Sequence, residues 1–177
     1  MNTSNLEDLT LLLIDDGDIP AAWLERWAVS YPVSVQTAAS RNQSIHCWQE
    51  NMQTAFNGIA AQHIAVVAYG AGVSAFLAWL YQADINAQRR LCNIILVSPR
   101  ADALPDDTEH TLIRARCPCR TALVIGQSKP AYREWAAKQA ALWQARLLVS
   151  PYPAPLDSVS GGWQWGMKLM QEMLLSP

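Results

Sequence analysis

The sequence predicts an α/β fold: a three-layer sandwich in which helices cover both faces of a central, mostly parallel sheet of about six strands. Three observations lead to this prediction. Short apolar runs alternate with amphipathic helical patterns along the 177 residues. The central apolar runs are continuous rather than alternating, which is typical of strands buried on both faces of a parallel sheet. No linker or internal repeat interrupts the pattern, so we expect one domain over residues 1–177.

The strands of the predicted sheet are the apolar runs of strand length. They are Leu9–Asp15, Val33–Thr37, His63–Tyr69, Cys92–Ser98, Thr121–Gly126 and Arg146–Ser150. Because right-handed crossovers make such strands parallel, their carboxyl ends meet at one edge of the sheet, and ligands bind beyond that edge. We therefore expect a site among the segments that follow the strands, namely 15–17, 69–71, 98–99, 126–129 and 151–162.

The helices of the predicted sandwich follow from apolar residues spaced three and four apart. They are Pro20–Ser30, Ser44–Ile59, Gly72–Ala83, Pro130–Trp143 and Gly166–Leu175. Two of them begin with proline, which favours the first position of a helix. The polar segment 99–120 breaks the alternation, and we predict that it forms an excursion over the edge of the sheet.

Composition argues against several classes of function. The formal net charge is −2 and no basic stripe is present, which argues against nucleic-acid binding. No apolar run reaches the roughly 18 residues of a membrane span, and the N-terminus lacks the basic start of a signal peptide. The four cysteines form no CxxC pair, so we expect no metal, no cofactor and a reducing, cytoplasmic location. The eight tryptophans are expected to be core or pocket-wall side chains.

The turn after the third predicted strand is the most informative motif. The strand His63–Tyr69 runs through Gly70-Ala71-Gly72 into a helix. The nucleophile elbow of α/β-hydrolases has this form, with Ser at the centre of G-x-S-x-G. Here the centre is Gly70, which has no side chain but adopts a positive φ without the strain of about 1–3 kcal/mol that other residues suffer there. The free N–H groups of this helix start favour an anion, so a bound carboxylate, phosphate or sulfate is expected at Gly70–Gly72.

Further landmarks along the chain resemble those of one family, the small YdeN-like serine hydrolases that include retinoblastoma-binding protein nine. The residues that carry the resemblance are Trp23-Leu-Glu-Arg-Trp27, Ala68-Tyr-Gly-Ala-Gly72, Leu96-Val-Ser-Pro99, Lys129-Pro130 and the tail from Ser158 to Gly166 with Trp163. They occur in the family's order over nearly the whole chain. The resemblance implies a small α/β-hydrolase fold.

The resemblance also implies a Ser–Asp–His triad, and none of its three positions holds the family's residue. The nucleophile position falls on Gly70, the acid position on Lys129 and, counted back from Gly166, the base position on Pro153. Acyl transfer needs a nucleophilic oxygen, a base that takes its proton and a group that orients the base. The resemblance therefore predicts a hydrolase-shaped protein without intact catalytic residues.

Two functions follow from these observations. The first is a non-catalytic binding protein whose crevice holds an unknown small ligand or protein partner. Its expected ligand-binding residues are Gly17, Tyr69, Gly70, Ala71 and Trp163. The second is a hydrolase with a relocated or substrate-assisted site. An α/β protein of another class, with an ordinary strand–helix turn at Gly70, is a third possibility.

Several polar residues near the predicted edge are candidates for a relocated site. Ser98 and Ser128 both end strands, and Lys129 follows Ser128 directly. Ser74 should point along its helix, and His110 is the one histidine placed to overhang the crevice. The run Asp15-Asp16-Gly17-Asp18 is expected to form a solvated turn, with a cation site as the weaker alternative.

Overall fold

A computed structural model describes residues 7–31, 33–103 and 114–175 of the protein. Within these ranges six parallel strands form one sheet in the order β2-β1-β3-β4-β5-β6. The strands are β1 (Leu9–Asp16), β2 (Ser34–Ala39), β3 (His63–Tyr69), β4 (Leu91–Val97), β5 (Arg120–Gln127) and β6 (Arg146–Pro153). The predicted three-layer α/β sandwich is confirmed.

Helices connect the strands and cover both faces of the sheet. They are α1 (Ala22–Ser30), α2 (Ile45–Asn57), α3 (Ala71–Gln82), α4 (Ile85–Arg89), α5 (Pro130–Trp143) and α6 (Gln164–Leu175). The short α4 was not predicted, although Asp84 caps it by accepting a hydrogen bond from the N–H of Ala87. The middle of the predicted excursion, with His110, lies outside the described residues.

Two apolar cores flank the sheet. One lies beneath α2, α3 and α5 and contains Trp48, Phe76 and Trp79. The other lies beneath α1 and α6 and contains Trp23 and Trp163. Six of the eight tryptophans are fully buried, which confirms their predicted place in the core. No helix in the described part of the chain is long and apolar enough to cross a membrane.

The topology places a crevice between β1 and β3. The chain leaves β1 towards β2 on one side and returns through α2 to β3 on the other side, so the strand order reverses at this point. In open α/β sheets, ligands bind at such a switch point beyond the carboxyl ends of the strands. Ile14 pairs with Ala68 in register, and two residues further on Asp16 and Gly70 lie at the carboxyl ends of β1 and β3.

Candidate functional site

The turn between β3 and α3 has the backbone of a nucleophile elbow. Gly70 has φ 59° and ψ −124°, in the positive-φ region that favours glycine. Its N–H donates to the carbonyl of Val97 at 3.0 Å, which ties the turn to β4. A Cβ on Gly72 would lie 2.5 Å from the carbonyl oxygen of Ile14, so the second glycine lets α3 approach β1 closely.

The Asp16 carboxylate fills the space where a nucleophile would lie. A Cβ built on Gly70 would meet Oδ2 of Asp16 and would lie 2.9 Å from its Cβ and 3.0 Å from its Cγ. The same Oδ2 accepts a hydrogen bond from the N–H of Ala71 at 2.9 Å. In α/β-hydrolases the N–H of the residue after the nucleophile forms part of the oxyanion hole. One carboxylate thus takes both the nucleophile's space and an oxyanion donor.

Further contacts hold Asp16 in this place. Its Oδ1 accepts hydrogen bonds from the N–H groups of Asp18 (2.8 Å) and Ile19 (3.0 Å), because an aspartate after a strand readily bonds the backbone of the following turn. Its Oδ2 also binds Nη1 of Arg100 at 3.0 Å. Asp16 is only 1% exposed, so the expectation of a solvated turn was wrong for this residue. Pairing and hydrogen bonds are what a buried charge requires.

We call Asp16, Gly70, Ala71 and Arg100 the filled elbow. The anion expected at Gly70–Gly72 is here a side chain of the chain itself. The weaker alternative of a cation site gains no support, since the described residues contain no group of three or more metal-ligating side chains. Asp15 instead accepts hydrogen bonds from the N–H groups of Asp16 and Ala21.

Arg100 connects the filled elbow to a surface ion-pair network. Its Nε and Nη2 bind the two carboxylate oxygens of Asp102 at 3.0 and 2.9 Å, and Arg41 binds Asp102 from the other side at 2.8 Å. The hydrogen bonds to Asp102 raise the pKa of Arg100 further, and the Arg100 guanidinium lowers the pKa of Asp102 from its ordinary value of 3.8. Sequence reasoning missed the Asp16–Arg100 pair.

Of the five predicted ligand-binding residues, four are buried, namely Tyr69, Gly70, Ala71 and Trp163. The hydroxyl of Tyr69 donates to the carbonyl of Pro155 at 3.1 Å, and burial raises its pKa, so it stays neutral. Trp163 is 0% exposed, stacks on Trp27 and donates through Nε1 to Oγ of Ser150. Both side chains are therefore shielded from solvent. Gly17 is exposed in the turn after β1. Ligand contacts by these residues stay a prediction.

The remaining triad positions carry no acid and no base. Lys129 is exposed at the residue before α5, and Pro153 ends β6. Among the described residues the histidines are His46, exposed on α2 beside Glu50, and His63, which begins β3 at the opposite edge of the sheet. The described part of this crevice therefore contains no imidazole.

A second cavity opens beside the filled elbow, at the carboxyl ends of β4, β5 and β6. Its volume is about 890 Å³, and we call it the β4–β6 pocket. It is lined by Ser98, Pro99, Arg100, Ala101, Asp102, Gln127, Ser128, Lys129, Tyr132, Ala154 and Pro155. The structure thus brings the predicted candidates Ser98, Ser128 and Lys129 to one cavity. Ser74 is instead buried inside α3.

Two buried hydroxyls of the β4–β6 pocket are unpaired. Oγ of Ser98 and Oγ of Ser128 have no hydrogen-bond partner among the described residues. Ser98 is 4% exposed and has φ 46°, a conformation that is uncommon and strained for residues other than glycine. Buried polar groups are normally paired, so such exceptions point to a functional role or a missing partner.

Comparison with known families agrees with this architecture. A family described as serine hydrolase has a model that matches residues 16–172 of the chain. No protein of curated function matches the sequence significantly.

Solved structures of hydrolases share the fold. A YdeN-like hydrolase from Pectobacterium atrosepticum is 17% identical, with a TM-score of 0.75 over 99% of this chain and 96% of that chain. A lipase-esterase related protein from Clostridium acetobutylicum is 10% identical, with a TM-score of 0.65 over 93% and 94%. The carboxylesterase CesB from Bacillus subtilis is 10% identical, with a TM-score of 0.63 over 94% and 83%. At these identities the likeness shows the fold.

Proposed function

The chain belongs to the serine hydrolase family, and we propose that it is a catalytically degenerate member that acts by binding a ligand or a protein partner. The observation that carries this proposal is the Asp16 carboxylate, which lies in the nucleophile's space and accepts the N–H of Ala71. A substrate carbonyl has no hydroxyl to attack it at this turn. Its developing oxyanion would also have to displace a buried, hydrogen-bonded carboxylate.

The energetics support binding over acyl transfer at the elbow. An enzyme that keeps only its oxyanion hole and binding site still accelerates the reaction roughly 10³–10⁴-fold over the uncatalysed reaction in water. In the filled elbow even that contribution is reduced, because a negative charge already lies beside the N–H of Ala71. Like charges close together in a buried site are unfavourable, so the elbow opposes a second anion.

Hydrolysis assays test this proposal. We expect the wild-type protein to turn over p-nitrophenyl acetate, butyrate and octanoate no faster than heat-denatured protein, and a fluorophosphonate probe to leave it unlabelled. The matched variants are Ser98→Ala and Ser128→Ala, which remove the two unpaired hydroxyls of the β4–β6 pocket. Turnover or labelling that disappears in either variant would overturn the proposal.

Rebuilding the triad tests the same point from the opposite direction. Gly70→Ser, Lys129→Asp and Pro153→His restore the family's residue types at the three positions. We expect fluorophosphonate labelling only when Asp16→Gly is added, because Asp16 otherwise overlaps the new side chain. The matched control is the triple variant that keeps Asp16. Equal labelling of the two proteins would contradict the blocking role of the carboxylate.

A relocated hydrolase site is the second candidate function, and one observation favours it. Ser98 combines a positive φ with a buried, unpaired hydroxyl, and strained backbone is concentrated at functional sites. Ser128 and Lys129 line the same cavity. A serine nucleophile needs a base within about 3 Å. This candidate requires esterase activity that depends on both Ser98 and Lys129.

A cytoplasmic location is part of the proposal. It is supported by the four free cysteines of the chain, since thiols stay reduced in that compartment.

Burial raises the pKa of Cys117 to about 11 and that of Cys119 to about 12, which makes both thiols unreactive at neutral pH. We expect iodoacetamide at pH 7.5 to alkylate these two cysteines only after the protein unfolds, as peptide mass mapping would show.

A further inference from the structure

We propose that the β4–β6 pocket binds a monocarboxylate with an apolar body, such as a medium-chain or arylalkyl acid. This inference rests on the proposed binding function and names the class of ligand. The site adjoins the filled elbow and shares Arg100 with it, but its other lining residues follow β4, β5 and β6 rather than the switch point between β1 and β3.

The hydrogen-bonding groups of the pocket call for an acceptor. Ser98 and Ser128 present hydroxyls that have no partner among the described residues. Other polar groups of the wall are already engaged: the hydroxyl of Tyr132 donates to the carbonyl of Pro99 at 2.6 Å, and Nε2 of Gln127 donates to the carbonyl of Ser150 at 3.3 Å. A carboxylate offers two oxygens, each able to accept from more than one donor.

The charges of the pocket favour an anion over a cation. Arg100 is shared among the carboxylates of Asp16, Asp18 and Asp102, so it has no free charge to offer a ligand. Lys129 remains, and no carboxylate of the described residues lies within ion-pair distance of its ammonium group. An ammonium group without an ion pair and two hydroxyl donors that line the same cavity suit a single carboxylate, since a charge-assisted hydrogen bond is roughly twice as strong as a neutral one.

The rest of the wall calls for an apolar body. Pro99, Ala101, Ala154 and Pro155 line the cavity together with the ring of Tyr132. A volume of about 890 Å³ lies in the range of small-molecule sites, where apolar walls supply affinity and a few polar groups fix orientation. An acid as small as acetate would leave most of this surface uncovered. The ligand must therefore pair a charged head with a hydrocarbon chain or ring.

Calorimetric titration of the full-length protein at pH 7.5 tests the head and the body separately. The probes are octanoate and 4-phenylbutyrate, their uncharged amides, and acetate. We expect both acids to bind, each amide to bind at least about tenfold more weakly for want of the charge-assisted contact, and acetate to show no binding up to 10 mM. No binding by either acid, or equal binding of acid and amide, would overturn the inference.

Two sets of variants locate the bound acid. Lys129→Gln should weaken octanoate binding about tenfold, whereas Lys138→Gln, at an exposed position on the helix α5 that follows Lys129, should leave it unchanged. Ser98→Ala and Ser128→Ala should each weaken binding about three- to tenfold. The two serine variants are independent, so misfolding of one leaves the other informative. Binding that none of these changes affects lies elsewhere and would overturn the assignment.

Failure of this inference is distinguishable from failure of the proposed function. Turnover of p-nitrophenyl octanoate is measured on the same protein samples. Octanoate binding without turnover supports both proposals. Turnover that requires Ser98 overturns the non-catalytic function, and the octanoate titration still decides the ligand class on its own. If the protein neither binds octanoate nor turns over the ester, only the pocket assignment is overturned, since the filled elbow does not depend on it.

Discussion

The filled elbow and the β4–β6 pocket lie side by side at the same edge of the sheet, and they differ in how their polar groups are paired. In the filled elbow both oxygens of Asp16 are bonded, to three backbone N–H groups and to Arg100. In the pocket the hydroxyls of Ser98 and Ser128 are unpaired among the described residues. The polar groups of the filled elbow are therefore paired within the chain, whereas the two serine hydroxyls of the pocket are free to bind a ligand.

The region that carries the family motif is therefore not the region that has free groups to bind a ligand. The elbow carries the sequence feature that identifies the family, yet its donors already bind a side chain of the chain. The pocket carries only two short landmarks of the family resemblance, Leu96-Val-Ser-Pro99 and Lys129-Pro130, yet it combines free donors, a positive charge and apolar walls. Unsatisfied buried groups are energetically unfavourable unless something pairs with them, so they mark a site more directly than a turn sequence does.

The largest effect is expected from removing the Asp16 carboxylate. Asp16→Ala leaves Arg100 without its buried partner and leaves the N–H groups of Ile19 and Ala71 without acceptors. We expect the free energy of unfolding to fall by about 3–5 kcal/mol, the usual result of breaking a buried ion pair. Urea denaturation measures this loss. Asp16→Asn keeps the shape of the side chain, and we expect it to lower the free energy of unfolding by about 1–3 kcal/mol. A loss below about 1 kcal/mol in both variants would contradict a structural role for the carboxylate.

A side chain at Gly70 should have the next largest effect. Gly70→Ala adds a Cβ at φ 59° and directly against Asp16, so we expect a loss of about 2–3 kcal/mol from strain and overlap. In an Asp16→Gly background only the strain remains. The loss should then be smaller, and a double-mutant cycle on the free energies of unfolding measures the difference. Strictly additive losses would show that the two residues do not compete for space.

The fold could be predicted because it depends on patterns that neighbouring residues share. Continuous apolar runs identified the six strands, and three-and-four spacing identified the helices. The errors are local. The helix predicted from Pro20 begins at Ala22, because Ala21 has an extended backbone, with φ −91° and ψ 117°, and its N–H binds the Asp15 side chain. Asp84 at the start of α4 was a capping signal that could have been used.

The candidate site was only partly predictable, because side-chain directions decide it. The segments at the sheet edge were identified correctly, including those that carry Gly70 and Ser98. The pairing of Asp16 with Arg100 spans 84 positions of sequence, and no local pattern indicates it. Trp163 was expected at the crevice, but its indole N–H finds Ser150 inside the core and its rings pack with other tryptophans. Spacing alone gives no information about such burial.

Substitution in the β4–β6 pocket should not lower the free energy of unfolding, in contrast to substitution in the filled elbow. Ser128→Ala removes a buried hydroxyl that has no partner among the described residues, so no hydrogen bond is lost. We expect the free energy of unfolding of the unliganded protein to stay within about 0.5 kcal/mol or to rise by up to about 1 kcal/mol. Thermal and urea denaturation measure this. A loss above about 2 kcal/mol would show that the hydroxyl has a structural partner.

The smallest expected effect lies in the surface network that joins the two regions. Hydrogen bonds from Arg100 lower the pKa of Asp102 below its ordinary value of 3.8. A carboxyl whose pKa is lowered by folding stabilises the folded state above its unfolded pKa, and this contribution disappears as the pH falls through the lowered folded value. Because the side chain of Asp102 is 52% exposed, solvent screening limits the contribution to at most about 1 kcal/mol.

The pH dependence of Asp102→Asn therefore tests whether Arg100 is anchored from the surface or from Asp16. We expect the variant to be slightly less stable than the wild type near pH 6, and we expect this deficit to shrink as the pH falls below 3.8 through the lowered pKa of folded Asp102, as urea denaturation at a series of pH values would show. Glu134→Gln, an exposed carboxylate on α5, is the control outside the network. A deficit that does not change as the pH falls below 3.8 would mean that Asp102 acts through shape rather than charge. A deficit as large as that of Asp16→Ala would mean that the filled elbow depends on its exposed side, and that the two regions form one electrostatic unit.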